Sequence, residues 1–546
     1  MRANIEYRIA GRTLSTSESN ADLVIEREVL PIEHGIEVAL TVIPKKRITL
    51  ISASLAEELR YDESTRFMPN GYQSWTETKL YRPSERMRGL DHVPRPLIAS
   101  YQLDQYGDTN YTTYRKKLLH GYTYAYRIDG YHELIGSLND HRAFLIIYYD
   151  LKKGELTLES DVSKRMIESP FKVFHFIRVQ GTHDEVFASY LKRLPRIGER
   201  PILTGYTSWY RHGQNIDQEK LMADLEEGDP DDQLFQIDDG YQQAIGDWLS
   251  VDPDRFAEGL MPLVARIEEK GRLPGIWLAP FVCEKKSRIF FEKSEYLLKD
   301  EQGNPVMAGS NWSGFYALDM TKDDVKDYLR KVLRHMVEAY RFKFFKLDFL
   351  YAAALLARPD RTRAEAMRES MEFLRETLHD VYILGCGMPL ASGFGLVDYA
   401  RIGPDVSLTF DDAFYMRWLH RERISTKRTI LNTIYRRELN GHVFYNDPDV
   451  FILRKEDNRL KDAQKEALTL INAIFGHLFL TSDRVRMLDP KAKRILIEAK
   501  ESLQAKSVTV EQRAGVIEVH YRVNGIEKGF IYRIRSGRIR RLYEGT

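Results

Sequence analysis

Cysteine is almost absent from this chain, and several other common signals are missing with it. The 546 residues include only two cysteines, Cys283 and Cys386. This excludes a disulfide framework and argues against metal sites built on cysteine clusters. The N-terminus carries no long apolar segment, and nowhere is there a run of about 18 apolar residues. We therefore expect a cytoplasmic protein with no signal peptide and no membrane span.

The chain also lacks an excess of charge of either sign. Lys and Arg total 81 against 80 for Asp and Glu, which gives a formal net charge of +1. A net charge this close to zero gives no indication of binding to nucleic acid or to an anionic membrane. Internal repeats and low-complexity linkers are absent as well. The length predicts two or three domains.

The pattern of apolar residues divides the chain into three parts. Residues 1–195 contain short alternating runs such as 36–42 and 143–149, which predict an N-terminal antiparallel β-sandwich. From 196 to 490, short apolar strands alternate with amphipathic helices. Residues 491–546 begin with a helix near Pro490 and return to strands around an Asn524-Gly525 turn, which predicts a small C-terminal β domain.

The central part predicts parallel strands joined by helices. Strands are expected at 203–206, 234–237, 275–279, 342–347, 381–385, 399–402, 443–445 and 478–480. Helical faces are expected at Val325, Leu329, Val332, Met336 and Tyr340, and at Met367, Met371, Leu374 and Leu378. Eight such βα units over this length favour a (β/α)8 TIM barrel. The fifth and sixth strands are close together, so their crossover should be short or irregular, and a doubly wound open sheet is the alternative.

The fourth predicted strand carries two charges at its end. Lys346 and Asp348 are two residues apart, so their side chains project to the same face of the strand. A charge within an apolar strand is costly unless it is paired. A structural ion pair would explain these two residues by themselves.

Other predicted strands also end in polar residues. The segments concerned are 234–241, containing Asp238 and Asp239, 384–389, containing Cys386 and Gly387, 401–405, containing Arg401 and Asp405, and 445–449. A single acidic strand end could be a helix N-cap. Several together fit a barrel better, because the chemistry of such barrels takes place at the carboxyl ends of the strands.

Tryptophans occur at the same places. Trp209 follows the first strand, Trp277 lies within the third, and Trp75 belongs to the N-terminal part. Each one alone is more often a core residue. An aromatic plate beside several carboxylates, however, suits a pyranose, whose C–H face stacks on the ring while its hydroxyls meet carboxylates.

Paired carboxylates around a sugar site suggest glycoside hydrolysis. Asp348 and Asp405, on the fourth and sixth strands, are the natural pair. Lys346 would favour the charged form of Asp348 and suit it to be a nucleophile, and Asp405 would be the acid. Whether the pair is spaced for retention or for inversion stays open at this point.

The motifs at these positions carry a family resemblance. The chain resembles the α-galactosidases of glycoside hydrolase family 36, in particular their compact bacterial members. The motifs are the segments 70–75 (NGYQSW), 204–210 (TGYTSWY), 236–241 (QIDDGY), 245–248 (IGDW), 274–281 (PGIWLAPF), 345–350 (FKLDFL), 383–389 (ILGCGMP), 401–405 (RIGPD) and 446–449 (NDPD).

The resemblance implies a retaining α-galactosidase without metal or organic cofactor, acting on small oligosaccharide α-galactosides. It implies that Asp348 is the nucleophile and Asp405 the acid/base. The residues that it implies bind the sugar are Asp238, Asp239, Lys346, Arg401, Cys386, Gly387, Trp277, Trp75, Trp209 and Tyr206. Tyr206 stands where many relatives have Trp, and Met388 where smaller residues are common.

Several alternatives keep the same residues. An α-N-acetylgalactosaminidase would need room for the acetamido group on the side of Cys386 to Met388, and a transglycosylase would differ only at the acceptor. A sugar-binding protein on an inactive barrel would have lost an essential carboxylate, and both are present. A metal-dependent hydrolase using His212 lacks a second histidine at ligand spacing. The aglycone and the oligomeric state cannot be predicted.

Overall fold

The computed structural model describes residues 1–90, 93–94, 96–98, 106–108, 115–411 and 422–543. Residues 412–421 of the predicted barrel region and 544–546 of the predicted C-terminal domain lie outside this part of the chain.

The N-terminal region is built of two antiparallel sheets, as its alternating pattern predicts. The strands are β1 (Arg2–Ile9), β2 (Arg12–Thr16), β3 (Leu23–Ile32), β4 (Gly35–Pro44), β5 (Ile48–Glu58), β6 (Arg66–Pro69), β7 (Leu118–Tyr122), β8 (Tyr124–Ile128), β9 (His132–Ser137), β10 (Leu145–Asp150), β11 (Glu155–Ser160), β12 (Met166–Ile167) and β13 (Phe171–Gly181). One sheet has the order β2-β1-β5-β11-β10-β7, with β12 beside β5, and the other has the order β3-β4-β13-β9-β8-β6.

The two sheets share one apolar core. Leu50 and Ile147 from the first sheet cluster with Val38 and Phe176 from the second, and all four are buried. Alternate residues of each strand supply this core, because successive side chains point to opposite faces. Helix α1 (His183–Leu191) follows, with a capping box between Thr182 and Glu185 at its N-terminus.

The central sheet is parallel and closes on itself. Its strands are β14 (Leu203–Thr207), β15 (Leu234–Ile237), β16 (Leu273–Leu278), β20 (Phe344–Leu347), β21 (Tyr382–Gly385), β22 (Tyr399–Arg401), β23 (Tyr445–Asp447), β24 (Val450–Phe451) and β25 (Leu478–Thr481). Neighbours in the sheet follow the order of the chain, and β25 pairs with β14. Strand β24 pairs with β25, and only two residues separate β24 from β23, so this segment completes the ring.

Helices cover most of the connections. They are α2 (Trp209–His212), α3 (Gln218–Glu227), α4 (Met261–Glu269), α5 (Arg288–Glu292), α6 (Asp323–Glu338), α7 (Arg363–Thr377), α8 (Thr426–Tyr435), α9 (Asp462–Phe475) and α10 (Pro490–Ser502). The predicted apolar faces of α6 and α7 are buried, although Tyr340 and Leu378 lie just beyond the helix ends. The crossover from β21 to β22 contains only a 3₁₀ turn, Leu390–Gly393, as its length predicts.

A loop of the N-terminal region is tied to the rim of the barrel. Arg436, just after α8, is fully buried and donates hydrogen bonds to the backbone carbonyls of Gly71, Gln73, Ser74 and Ile402 and to the side chain of Asn70. A buried guanidinium needs many acceptors, and the turn at 70–75 provides them. This anchoring places Trp75 at the carboxyl end of the barrel strands.

Two smaller sheets complete the fold. Strands β17 (Val282–Glu284), β18 (Met307–Gly309) and β19 (Phe315–Ala317) lie in the long connection between β16 and α6. Strands β26 (Lys506–Arg513), β27 (Val516–Val523), β28 (Ile526–Arg533) and β29 (Arg538–Arg541) form an antiparallel sheet, with Asn524 and Gly525 at positive φ in the predicted turn. Within the described ranges, no helix combines the length and the apolar character needed to cross a bilayer.

Candidate active site

The charged and aromatic strand ends meet at one end of the barrel. Asp238 and Asp239 follow β15 directly, Asp348 follows β20 directly, and Asp405 lies four residues beyond Arg401, the last residue of β22. Because the strands are parallel and adjacent, their carboxyl ends open on the same face.

Asp348, directly after β20, accepts two hydrogen bonds. One carboxylate oxygen accepts the indole N–H of Trp277 at 3.2 Å, and the other accepts the backbone N–H of Phe349 at 2.8 Å. Burial raises the pKa of the Asp348 carboxyl, the Lys346 charge lowers it, and the Asp405 charge raises it again, with a net increase. Asp348 and Asp405 are therefore close enough to interact, and both remain partly open to solvent.

Lys346 makes its direct contact with Asp238. Its Nζ lies 2.8 Å from Oδ2 of Asp238, and both side chains are buried. Gln236 donates to the same oxygen at 2.7 Å. Burial alone would lower the pKa of Lys346, but the neighbouring carboxylate of Asp238 raises it above its usual range, so the ammonium keeps its charge.

Asp239 is held by three side-chain donors. Gln214 and Gln242 each donate at 2.6 Å, and the indole N–H of Trp312 donates at 3.0 Å. Burial raises the pKa of Asp239 and these hydrogen bonds oppose the increase. Asp238 and Asp239 thus present a pair of fixed, buried carboxylates, which is the type of acceptor that sugar hydroxyls need.

Arg401 forms ion pairs with three carboxylates. Its Nη1 donates to Asp405 at 2.8 Å, its Nε to Asp447 at 2.7 Å, and its Nη2 lies 2.9 Å from Asp449. Asp405 is the exposed member of the set, with 34% of its side chain accessible, whereas Asp447 and Asp449 are fully buried. Burial raises the pKa of Asp449 to about 7; Arg401 opposes the shift, and Asp405 and Asp447 add to it.

Aromatic rings form the wall beside Asp348. Trp312 lies 6.0 Å from Trp277 and 5.2 Å from Phe349, measured between ring centroids, and Trp75 lies 5.5 Å from Phe349. Phe349 and Trp312 both adopt left-handed backbone conformations, with φ of 52° and 53°. Such conformations cost energy in residues other than glycine and are concentrated at functional sites.

Cys386 and Gly387 border the same space. Cys386 is buried, and burial raises the pKa of its thiol well above the usual range, so it stays neutral. A Cβ atom at Gly387 would come within 2.8 Å of the Trp75 ring, and φ of Gly387 is +57°. The glycine therefore permits Trp75 to close onto the barrel rim.

Tyr206, Trp209 and Met388 lie in positions that differ from those the motifs suggest. Tyr206 is fully buried, stacks on Phe235 and donates its hydroxyl to Asp224 on α3. Thr207, the next residue, faces Asp238 inside the barrel, so strand alternation turns Tyr206 outward to the helices, and the prediction that it binds substrate is wrong.

Trp209 begins α2 and is half-buried, while its neighbour Tyr210 makes the contact to the site, through Asp449. Met388 is fully buried and packs against Gly385 and Gly393. His212 contacts the Asp224 carboxylate at 2.6 Å.

Sequence reasoning missed several residues of the site. Trp312, Gln214 and Gln242, which hold Asp239, received no role, and neither did Tyr210. One signal was available for Trp312: the connection between β16 and α6 is far longer than the others, and long ordered loops often carry function.

Comparisons with known proteins find relatives among the α-galactosidases. The family model described as Melibiase matches residues 181–383. Alpha-galactosidase 1 of Pediococcus pentosaceus is 25% identical over 171 residues, which cover 29% of this chain and 22% of that protein. The Escherichia coli alpha-galactosidase is 24% identical over 176 residues, covering 30% and 24%. The aligned segments thus span about a quarter of the length of these curated relatives.

Solved structures match over nearly the whole chain. TtGalA, an alpha-galactosidase from Thermus thermophilus in complex with p-nitrophenyl alpha-D-galactopyranoside, has a TM-score of 0.72 at 26% identity, covering 96% of this chain and 98% of that one. The GH36 alpha-galactosidase AgaB from Geobacillus stearothermophilus has a TM-score of 0.62 at 12% identity, covering 96% and 80%, a likeness of fold. The family model and these structures show that the chain is similar to α-galactosidases over its central region and has the same overall fold as solved α-galactosidases.

Proposed function

We propose that this protein is a retaining α-galactosidase that removes terminal α-galactosyl residues from oligosaccharides such as melibiose or raffinose. The observation that carries the proposal is that two partly open carboxylates, Asp348 and Asp405, follow β20 and β22 at the same end of the barrel. A glycosidase needs one carboxyl group on each side of the scissile bond. TtGalA, which has the same overall fold, was solved with an aryl α-galactoside and with stachyose.

In the first step, Asp348 attacks the anomeric carbon while Asp405 gives its proton to the glycosidic oxygen. The bond between carbon and the leaving oxygen breaks, a galactosyl ester forms on Asp348, and the alcohol departs with the proton. In the second step, Asp405 takes a proton from water, and the hydroxide oxygen displaces Asp348 and releases galactose. Two displacements at one carbon keep the α configuration.

The surrounding residues suit the task of holding the sugar. Lys346, Asp238 and Asp239 offer a cation and two carboxylates to hydroxyl groups, and Trp277 and Trp75 contribute aromatic surface. The bonds that fix Asp238 and Asp239 before any ligand arrives reduce the ordering cost of binding. Trp75 packs closely against Gly387, next to the buried Cys386. This packing limits the space that the acetamido group at C2 of N-acetylgalactosamine would need, and it therefore favours galactose.

We divide the chain into three domains around the proposed active site. We assign residues 1–195 to an N-terminal β-sandwich that supplies Trp75, residues 196–490 to a catalytic (β/α)8 barrel, and residues 491–546 to a C-terminal β domain. The mechanism calls on side chains of the chain itself, without metal or organic cofactor.

The proposal is tested with three aryl glycosides. Initial rates are measured on the para-nitrophenyl α-galactoside, α-N-acetylgalactosaminide and α-glucoside, for the wild type and for Asp348→Gly, with folding checked by circular dichroism. We expect selective turnover of the α-galactoside and a loss of roughly 10³-fold or more in the variant, as for other essential nucleophiles. Near-wild-type turnover by a folded Asp348→Gly protein would rule out the assignment of Asp348 as the nucleophile. Turnover of one of the other two glycosides instead would show that the residues assigned to recognise galactose are wrong.

A further inference from the structure

The contacts around Arg401 point to a residue outside the reacting pair. We propose that Asp449 is a positioning residue for the acid/base, holding Asp405 in the orientation from which it protonates the leaving group. This inference rests on the proposed function and extends it. Asp449 does not touch the reacting atoms in this arrangement; it acts through the two groups that flank Asp405.

Asp449 contacts the surroundings of Asp405 at two points, one on a side chain and one on the backbone. Its Oδ1 forms an ion pair at 2.9 Å with Nη2 of Arg401, the guanidinium whose Nη1 donates to Asp405. Its Oδ2 accepts the backbone N–H of Val406, the residue next to Asp405, at 2.7 Å. One carboxylate thus fixes both the side-chain partner of Asp405 and the main chain beside it.

A third contact fixes the carboxylate itself. The hydroxyl of Tyr210, on α2, donates to the Oδ2 of Asp449. Asp449 is 1% exposed, so its oxygens cannot exchange these donors for bulk water. Loss of one donor or acceptor in such a buried set is expensive, because the partner is left unsatisfied.

The backbone at Asp449 supports a role beyond packing. Asp449 lies between β23 and β24, where the seventh strand of the barrel is interrupted, and it has φ of 71°. Residues other than glycine avoid this conformation, and such strain persists where the surroundings enforce it. The backbone N–H of Asp449 donates to Asp447 at 2.9 Å, which helps to hold the unusual turn.

Asp447 provides an internal comparison. It also pairs with Arg401, through Nε at 2.7 Å, and it accepts the N–H of Asp449. The backbone of Val406, however, is bonded to Asp449. Asp447 can therefore orient Arg401, whereas Asp449 additionally sets the position of the main chain that carries Asp405.

A misplaced proton donor has a specific kinetic signature. Protonation by Asp405 matters most when the leaving group is a poor one, such as the sugar alkoxide of melibiose. Fluoride departs from α-galactosyl fluoride with little help from an acid. Both substrates present the same galactosyl group to the nucleophile and the sugar contacts. A defect confined to the acid/base therefore slows melibiose selectively, whereas a general distortion of the pocket slows both substrates.

The test measures kcat/KM for both substrates in the wild type, Asp449→Asn and Tyr210→Phe. We expect Asp449→Asn to lose about 100-fold on melibiose, the scale of a misplaced general acid, and only a few-fold on the fluoride. Tyr210→Phe removes one donor to Asp449 and should show the same selectivity with a smaller loss. Trp312→Phe is the control for a sugar-contact defect, since it removes the N–H that holds Asp239 and should slow both substrates alike.

Each outcome decides the question. Equal losses on both substrates in Asp449→Asn and Tyr210→Phe, or no loss in either, would overturn the positioning role. If Asp449→Asn does not fold, Tyr210→Phe alone decides by its ratio of the two losses. A wild-type protein that cleaves neither galactoside would instead refute the proposed function, on which this inference depends.

Discussion

Replacement of Lys346 by Met tests the electrostatics of the candidate nucleophile. Lys346 and Asp348 lie two residues apart, on the same face at the end of β20, which separates their Cα atoms by roughly 6.6 Å. At this distance and an effective dielectric constant of about 20, a unit charge changes the energy of another by roughly 2.5 kcal/mol. Since about 1.4 kcal/mol corresponds to one pKa unit, removal of the Lys346 charge should raise the pKa of Asp348 by about 1 to 2 units.

The direction of the change in activity follows from the role of Asp348. The nucleophile must be ionised, so its pKa limits kcat/KM on the acid side of the pH profile. Burial already raises this pKa, and Lys346 opposes the increase. Lys346→Met should therefore move the acid limb of kcat/KM for an aryl α-galactoside to higher pH by about 1 to 2 units.

The assay needs two controls. Lys346→Arg keeps the charge and should leave the acid limb in place even if turnover falls. Lys343→Met removes an exposed charge from the segment that leads into β20 and should leave the profile unchanged. Lys346→Met also strips the buried Asp238 of its cation, which costs about 3–5 kcal/mol, so circular dichroism must establish that the variant is folded at the assay temperature. A folded Lys346→Met protein with the acid limb of the wild type would refute the reasoning.

Two further predictions concern the contacts between the N-terminal region and the barrel. Arg363 on α7, with 2% of its side chain accessible, pairs with Asp108 and Asp161; Arg363→Met should lower the free energy of unfolding by about 3–5 kcal/mol in urea titrations, because it removes the buried cation that faces two buried carboxylates. Arg361→Met, which breaks partly exposed pairs, should cost less than about 1 kcal/mol, and equal losses in the two variants would contradict this account. Gly387→Ala places a methyl group within 2.8 Å of Trp75 at a φ of +57° and pushes the Trp75 ring away from the site, so KM for the aryl galactoside should rise although the nucleophile Asp348 is unchanged. Unchanged KM and stability would show that the close approach of Trp75 is not needed.

The elements of the fold were largely predictable from local pattern. The short apolar runs at 234–237 and 478–480 are strands because such runs bury both faces in a parallel sheet, and the periodic faces of α6 and α7 pack on that sheet. The acidic residues that follow the strands at 234–237, 342–347 and 399–402 indicate the functional end of the barrel from the sequence alone. Boundaries shifted by one or two residues, as at β20, where the strand begins at Phe344 rather than at 342.

The partners within the site were harder to predict. Lys346 on β20 contacts Asp238 after β15, across the intervening strand β16, at 2.8 Å, and Arg401 brings together Asp405, Asp447 and Asp449. The sequence places these residues at strand ends but gives no distance between them. Tyr206 shows the same limit, since only the direction in which the sheet closes decides which face of β14 is inside.

The sequence by itself determined the alternation of strands and helices and the chemistry of the strand ends, because both depend on spacing along the chain. The tertiary structure alone decided which distant side chains meet. Closure of the barrel through β25 and β14 fixed the inner faces, the long connection after β16 delivered Trp312 to Asp239, and buried Arg436 fastened the loop of Trp75 to the rim. These contacts join residues far apart in the sequence, so they depend on how the whole chain packs.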